Sequence, residues 1–168
     1  MDTREIDDTL RRDPYTSPLY GGTFALDLLP NPLPPGRLYV VNLDRSNEEG
    51  SHWCQASTLF SPWCTTYFDS FGRPPPKEIL PALSSPGGFV SYSDVSIQSP
   101  LSQACGYHVL LVCMLQARGY SLREILFQFY RSDEDEYLRN DAYARSLISS
   151  LTSLRERPLI DWNEYWQK

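Results

Sequence analysis

The run from Ala104 to Arg118 constrains this chain most: Val109, Leu110, Leu111, Val112, Cys113, Met114 and Leu115 follow one another, and Gly119 closes the segment. A helix carrying such a run is apolar almost all round and has no face to give to water, so other elements must wrap it. Gly119 supplies the stop. Material for the wrapping lies on both sides in sequence. Arg37 to Asp44, Ser51 to Leu59 and Trp63 to Ser70 are short, β-branched or aromatic and separated by turn residues, which predicts an antiparallel meander. Downstream, Ser121 caps a helix with Glu124 in the capping-box position and Leu122, Ile125, Leu126 and Phe129 as its core stripe; a further helix is expected over Asp135 to Leu154. The fold class this predicts is α+β, a central, mostly antiparallel sheet packed on a buried helix.

Connections punctuate these elements. Pro74, Pro75 and Pro76 stop strand formation and lead into a short helix through Leu80; a Gly87-Gly88 turn then precedes a Phe89-Val90 strand. Residues 1–17 are charged and turn-rich, and residues 30–37 hold four prolines, so both read as surface segments, the first flexible or loosely packed. The acidic run Asp133 to Glu136 reads as a solvated helix start. With 168 residues, a single domain over 1–168 is expected, of a size that buries roughly 70% of its unfolded surface.

Fifteen Lys and Arg against 21 Asp and Glu give a charge of −6, which argues against binding nucleic acid by general phosphate neutralisation. No long uncharged apolar stretch and no basic-then-apolar leader is present, so neither a membrane span nor secretion is expected. The four cysteines form no CxxC pair and only two histidines accompany them, so no metal site is expected. In a reducing compartment such thiols are mostly buried hydrophobes, with room for one reactive member.

Cys105 is the candidate, because it opens the buried helix, where free N–H groups and the helix dipole stabilise a thiolate. Gly106 after it allows close approach of substrate. If the strands at 51–59 and 63–70 turn tightly near Phe60 and Ser61, paired numbers sum to about 121 and His52 faces Asp69 across a separation of about 5 Å. A histidine held by a carboxylate presents its other nitrogen to a nucleophile. His108 shares a helix face with Cys105 but has no evident acidic partner in the sequence. Cys54, Cys64 and Cys113 read as core residues. Gln98 and Gln103 are both near enough in sequence to assist an oxyanion, and periodicity does not choose between them.

Taken together, His52-Trp53, Tyr67-Phe68-Asp69-Ser70-Phe71-Gly72 and Gln98-Ser99-Pro100-Leu101-Ser102-Gln103-Ala104-Cys105-Gly106 resemble the adenain-like cysteine proteases of DNA viruses and virus-like transposons, with the SUMO-deconjugating proteases as more distant relatives. Gly21 to Pro30 and the Phe71-to-Pro75 run look like the transposon and small-virus branch, and the likeness covers about residues 19–130. It implies a papain-like fold with His52 as base, Asp69 as its orienting acid, Cys105 as nucleophile, Gln98 as oxyanion donor, and Trp53 and Gly106 lining the substrate site.

By the same resemblance the function is a viral endopeptidase that cuts capsid or core precursors after small, Gly-containing motifs. The alternatives are an isopeptidase acting on ubiquitin-like or SUMO-like conjugates and an inactive capsid-associated module. The implied setting is the host nucleus or cytoplasm and the virion. A monomer without cofactor is expected, with a non-covalent peptide activator or none, because no cysteine lies between Asp69 and Gln98 to take a disulfide-linked one. DNA as an activator is not favoured by the acidic charge. Leu19-Tyr20-Gly21-Gly22 resembles such a cleavage motif and is read as a glycine turn ahead of the first core segment.

Overall fold

The computed structural model describes residues 1–85, 87–129 and 134–153. Its centre is helix α3 (Cys105–Ala117), in which every residue except Tyr107 is buried, as an all-round apolar helix requires. Five strands form one sheet in sequence order: β1 (Tyr20–Ala25), β2 (Leu38–Asn42), β3 (Trp53–Ser57), β4 (Cys64–Phe68) and β5 (Phe89–Tyr92). The predicted meander is its middle, with β2–β3 and β3–β4 antiparallel. Both edge strands run parallel to their neighbours, β1 to β2 and β5 to β4. The fold is α+β.

One sheet face packs on α3 through Leu38, Val40, Trp53 and Phe68, together with Val109, Leu110 and Val112. The other face gathers Tyr39, Cys54, Ala56 and Tyr67 against Ile79 and Leu83, the latter on the short helix α2 (Leu80–Leu83). Helix α4 (Leu122–Leu126) begins with the expected capping box, Ser121 and Glu124 satisfying each other's backbone N–H groups, and buries Leu122, Ile125 and Leu126; Phe129, expected on the same helix, is buried beyond its end. Helix α5 (Glu134–Ser153) lies on α3, where Asp141 Oδ1 meets His108 Nε2 at 2.7 Å. Part of the acidic run lies outside the described residues.

The N-terminal segment departs from expectation. Thr3–Arg12 forms helix α1, capped by an Asp2–Glu5 box, with Ile6 and Leu10 completely buried in the main core. Its apolar positions are only two, spaced by four residues, so polar residues dominate the composition while one narrow stripe anchors the helix. Leu19 to Gly22 is likewise not a free turn. From Tyr20 onward it is strand β1, its backbone tied into the ladder with β2.

Candidate active site

Register decides which side chains meet. The β3–β4 ladder pairs Gln55 with Phe68, Ala56 with Tyr67 and Ser57 with Thr66, so paired numbers sum to 123 rather than 121. The tight turn is replaced by a wider loop because Thr58 bonds back to Arg37 (N to O, 2.9 Å) and Leu59 is drawn fully into the core, which moves the reversal to Ser61-Pro62. A slip of two residues preserves the faces, where a slip of one would invert them. Extended past the ladder, this register sets Cys54 across from Asp69 and His52 across from Phe71. The His52 and Phe71 rings stack with centroids 4.9 Å apart, and His52 reaches Asp69 on the diagonal, Nε2 to Oδ1 at 2.7 Å.

A single turn, Asp69-Ser70-Phe71-Gly72, builds much of the site. The Phe71 N–H donates to Asp69 Oδ1 at 2.8 Å, fixing the carboxylate, and the Gly72 N–H donates to the Asp69 carbonyl at 2.9 Å. Gly72 has φ +68°, and a Cβ there would stand 2.7 Å from the Asp94 carbonyl oxygen, so the turn needs glycine twice over. The Ser70 hydroxyl donates to Gln98 Oε1 at 2.6 Å, and its carbonyl accepts from the Gln98 N–H at 3.2 Å. Gln98 is thereby held buried, with Nε2 donating one hydrogen to the Ser102 carbonyl at 2.8 Å and keeping a second. Gln103 lies exposed at the rim. Sequence reasoning gave Ser70 and Phe71 no role; their signal is the turn itself, which sets Asp69 and Phe71 against His52 and Ser70 against Gln98.

Cys105 is the first residue of α3, following a cap at Ala104 that supplies no side-chain hydrogen bond. Its thiol shares the cleft with His52, close enough for that side chain to act on it. Burial alone would raise the thiol, but the interaction with the His52 side chain, the Trp53 backbone, the charge of His52 and the Gly106 backbone together bring it below the ordinary cysteine value. Burial likewise pulls His52 down, and its interactions with Asp69, Cys105 and Cys54 reverse this and hold it well above an ordinary histidine. Both shifts favour a thiolate beside an imidazolium. The other three cysteines are shifted the opposite way, chiefly by burial. Of the four thiols, Cys105 alone is activated.

His52, Trp53, Phe71, Gln98, Cys105 and Gly106 share one cleft of about 390 Å³. Cys54 is more than the core residue expected, since its sulfur lies with His52 and Asp69 in a cluster of donor atoms within 4.8 Å of one another. That set suits a soft cation chemically, yet a cation there would take the nitrogen that Asp69 orients. His108 does have an acidic partner, Asp141, 33 residues further along the chain. It is fully buried and is not part of the cleft wall, so the pair joins α3 to α5.

No family model and no curated protein matches this sequence. Among solved structures, a crystal structure of a protease of ASFV is similar at a TM-score of 0.41 and 20% identity, over 62% of this chain and 43% of that one. The chain thus spans less than half of that protease's length.

Proposed function

We propose that this protein is a cysteine endopeptidase in which Cys105, His52 and Asp69 form the triad. The observation that carries the reading is the convergence of an activated thiol at a helix start on a histidine whose Nε2 lies 2.7 Å from the buried Asp69 carboxylate. Asp69 holds the Nε2–H, so Nδ1 is the nitrogen left to exchange a proton with sulfur. The Cys105 thiolate attacks the scissile carbonyl carbon, and the negative charge moves onto its oxygen. Gln98 offers its remaining Nε2–H to that oxygen, and the Cys105 N–H, free of an intrahelical acceptor at the first turn, offers a second donor. His52 gives its proton to the departing amine, leaving a thioester; it then takes a proton from water, whose oxygen attacks the thioester carbon and releases the acid and the thiolate. The likeness to adenain-type motifs supports virus-particle precursor proteins as substrates, cut after residues with small side chains.

Labelling with an electrophilic amide such as iodoacetamide tests the reading. Cys105 is expected to label at pH 6 within about threefold of its rate at pH 8, because a lowered thiol remains thiolate down to a lower pH. Cys64, the half-buried thiol whose value is raised, loses thiolate over the same interval and is expected to slow by about 100-fold. Preferential labelling of Cys64, with Cys105 inert to a peptide electrophile, would remove the nucleophile from the scheme. Gln98→Ala is expected to lower kcat by about 10²–10³ with little change in KM, the effect of losing one oxyanion donor, and Gln103→Ala to remain within about twofold of the parent. Equal losses from the two variants would return the oxyanion role to an open choice between them.

A further inference from the structure

The cleft already contains part of the chain. Trp53 Nε1 donates to the Met1 carbonyl at 3.1 Å, so the only polar atom of the indole is taken up by the protein's own backbone. The Met1 side chain lies across Gly106, with Sδ 2.8 Å and Cβ 3.0 Å from the point where a Cβ on that residue would stand. Met1 lines the same cleft as His52, Gln98 and Cys105. Beneath it the nucleophile is only 8% exposed and the base 9%, although a peptide carbonyl must reach both. The contact is aimed rather than incidental: Asp2 and Glu5 close a capping box directly behind Met1, its amino group lies 3.7 Å from Glu5 Oε2, and the rest of α1 is fixed by buried Ile6 and Leu10.

These contacts are those a bound peptide would make. An indole N–H at a cleft wall is a donor for a main-chain carbonyl, and a glycine beside the nucleophile leaves a channel that an unbranched side chain can follow. We propose that the Trp53–Gly106 surface is a substrate subsite for one backbone carbonyl and one slim, unbranched side chain, and that Met1 occupies it in the free protein as a competitor built into the fold. This deepens the protease reading and rests on it. The plug consists of one hydrogen bond and one side chain, which is 12% exposed, and a substrate held along the whole cleft by many such contacts displaces it. The segment therefore raises KM and leaves the chemical step alone.

The test compares the parent with Met1→Gly, prepared by removing a cleavable N-terminal fusion, and with a chain beginning at Thr3, using a Gly-containing peptide library. Met1→Gly keeps Asp2 and its cap, so its melting temperature should match the parent's. The expected result is a three- to tenfold fall in KM at constant kcat, a larger fall for the chain beginning at Thr3, and faster alkylation of Cys105 in both variants. Trp53→Phe in the Met1→Gly background is expected to raise KM by about three- to tenfold, through loss of the carbonyl's donor. An unchanged KM with a reactive Cys105 overturns the competitor; a raised KM does so too, by making Met1 a wall of the subsite. Cys105 inert in parent and variants alike counts instead against the protease reading.

Discussion

Cys105→Ala is expected to lower kcat for peptide hydrolysis by at least about 10⁴ while leaving the melting temperature within a few degrees of the parent. The size follows from what is removed. Without sulfur no thioester forms, and the remaining assistance is that of the oxyanion donors and of binding. The fold should tolerate the change because the thiol lies at the start of α3, at the cleft, whereas the packing of that helix rests on Val109, Leu110, Val112 and their neighbours. His52→Ala is expected to cost a similar factor, since the thiolate owes its stability to the imidazolium. The double variant should be no more than about tenfold worse than either single one, because the two groups act as a unit. Steady-state kinetics on one peptide for all three proteins gives the result; losses that multiply would mean that His52 and Cys105 work independently. Cys64→Ala, away from the cleft, should leave kcat within about twofold. A Cys105→Ala protein that keeps full activity would put the nucleophile elsewhere.

Much of this site was legible because its parts are local. The apolar run after Ala104 dictates a buried helix, and a cysteine at its first position follows directly. The short β-branched segments dictate strands, and alternation puts His52 and Asp69 on one face whether paired numbers sum to 121 or 123. The register itself was not legible, because it depends on Thr58 bonding back to Arg37 and on the burial of Leu59, contacts that reach across the chain. The same reason hid Asp141 as the partner of His108, and α1 behind its polar composition. Gln98 was separable from Gln103 only by resemblance, whereas in the fold the Ser70 hydroxyl and the Ser102 carbonyl bury and orient one amide and leave the other at the rim. A strand at Phe89-Val90 was legible, but the parallel pairing of both edge strands was not, because it requires partners distant in sequence, which alternation in a single segment does not specify.

The largest effect on stability is expected from Arg118→Ala, and neither partner of this ion pair stands out in the sequence. Arg118 caps the end of α3 and Asp13 the end of α1; NH2 reaches Asp13 Oδ1 at 2.7 Å and NH1 reaches Oδ2 at 3.0 Å, a two-pronged contact 105 residues apart. Both are nearly inaccessible, at 4% and 2% exposure. The guanidinium also donates to the Met114 carbonyl at 2.9 Å and lies over the Tyr15 ring at 4.5 Å. Removing it leaves the Asp13 carboxylate buried with only the Thr16 donors, and breaking a buried pair from one side costs about 3–5 kcal/mol. Against a total of about 5–15 kcal/mol this is a large share, equivalent to a melting temperature roughly 6–20 °C lower. Asp13→Ala should cost a comparable amount. The double variant should cost less than the sum of the singles by at least about 1 kcal/mol, since no orphaned charge then remains. Denaturant unfolding of the four proteins measures the cycle, and additive losses would show that the two groups act separately. Because this pair joins α1 to α3, Arg118→Ala should also loosen the hold of Met1 on the cleft. In the folded fraction at low temperature, Cys105 alkylation should therefore be faster than in the parent.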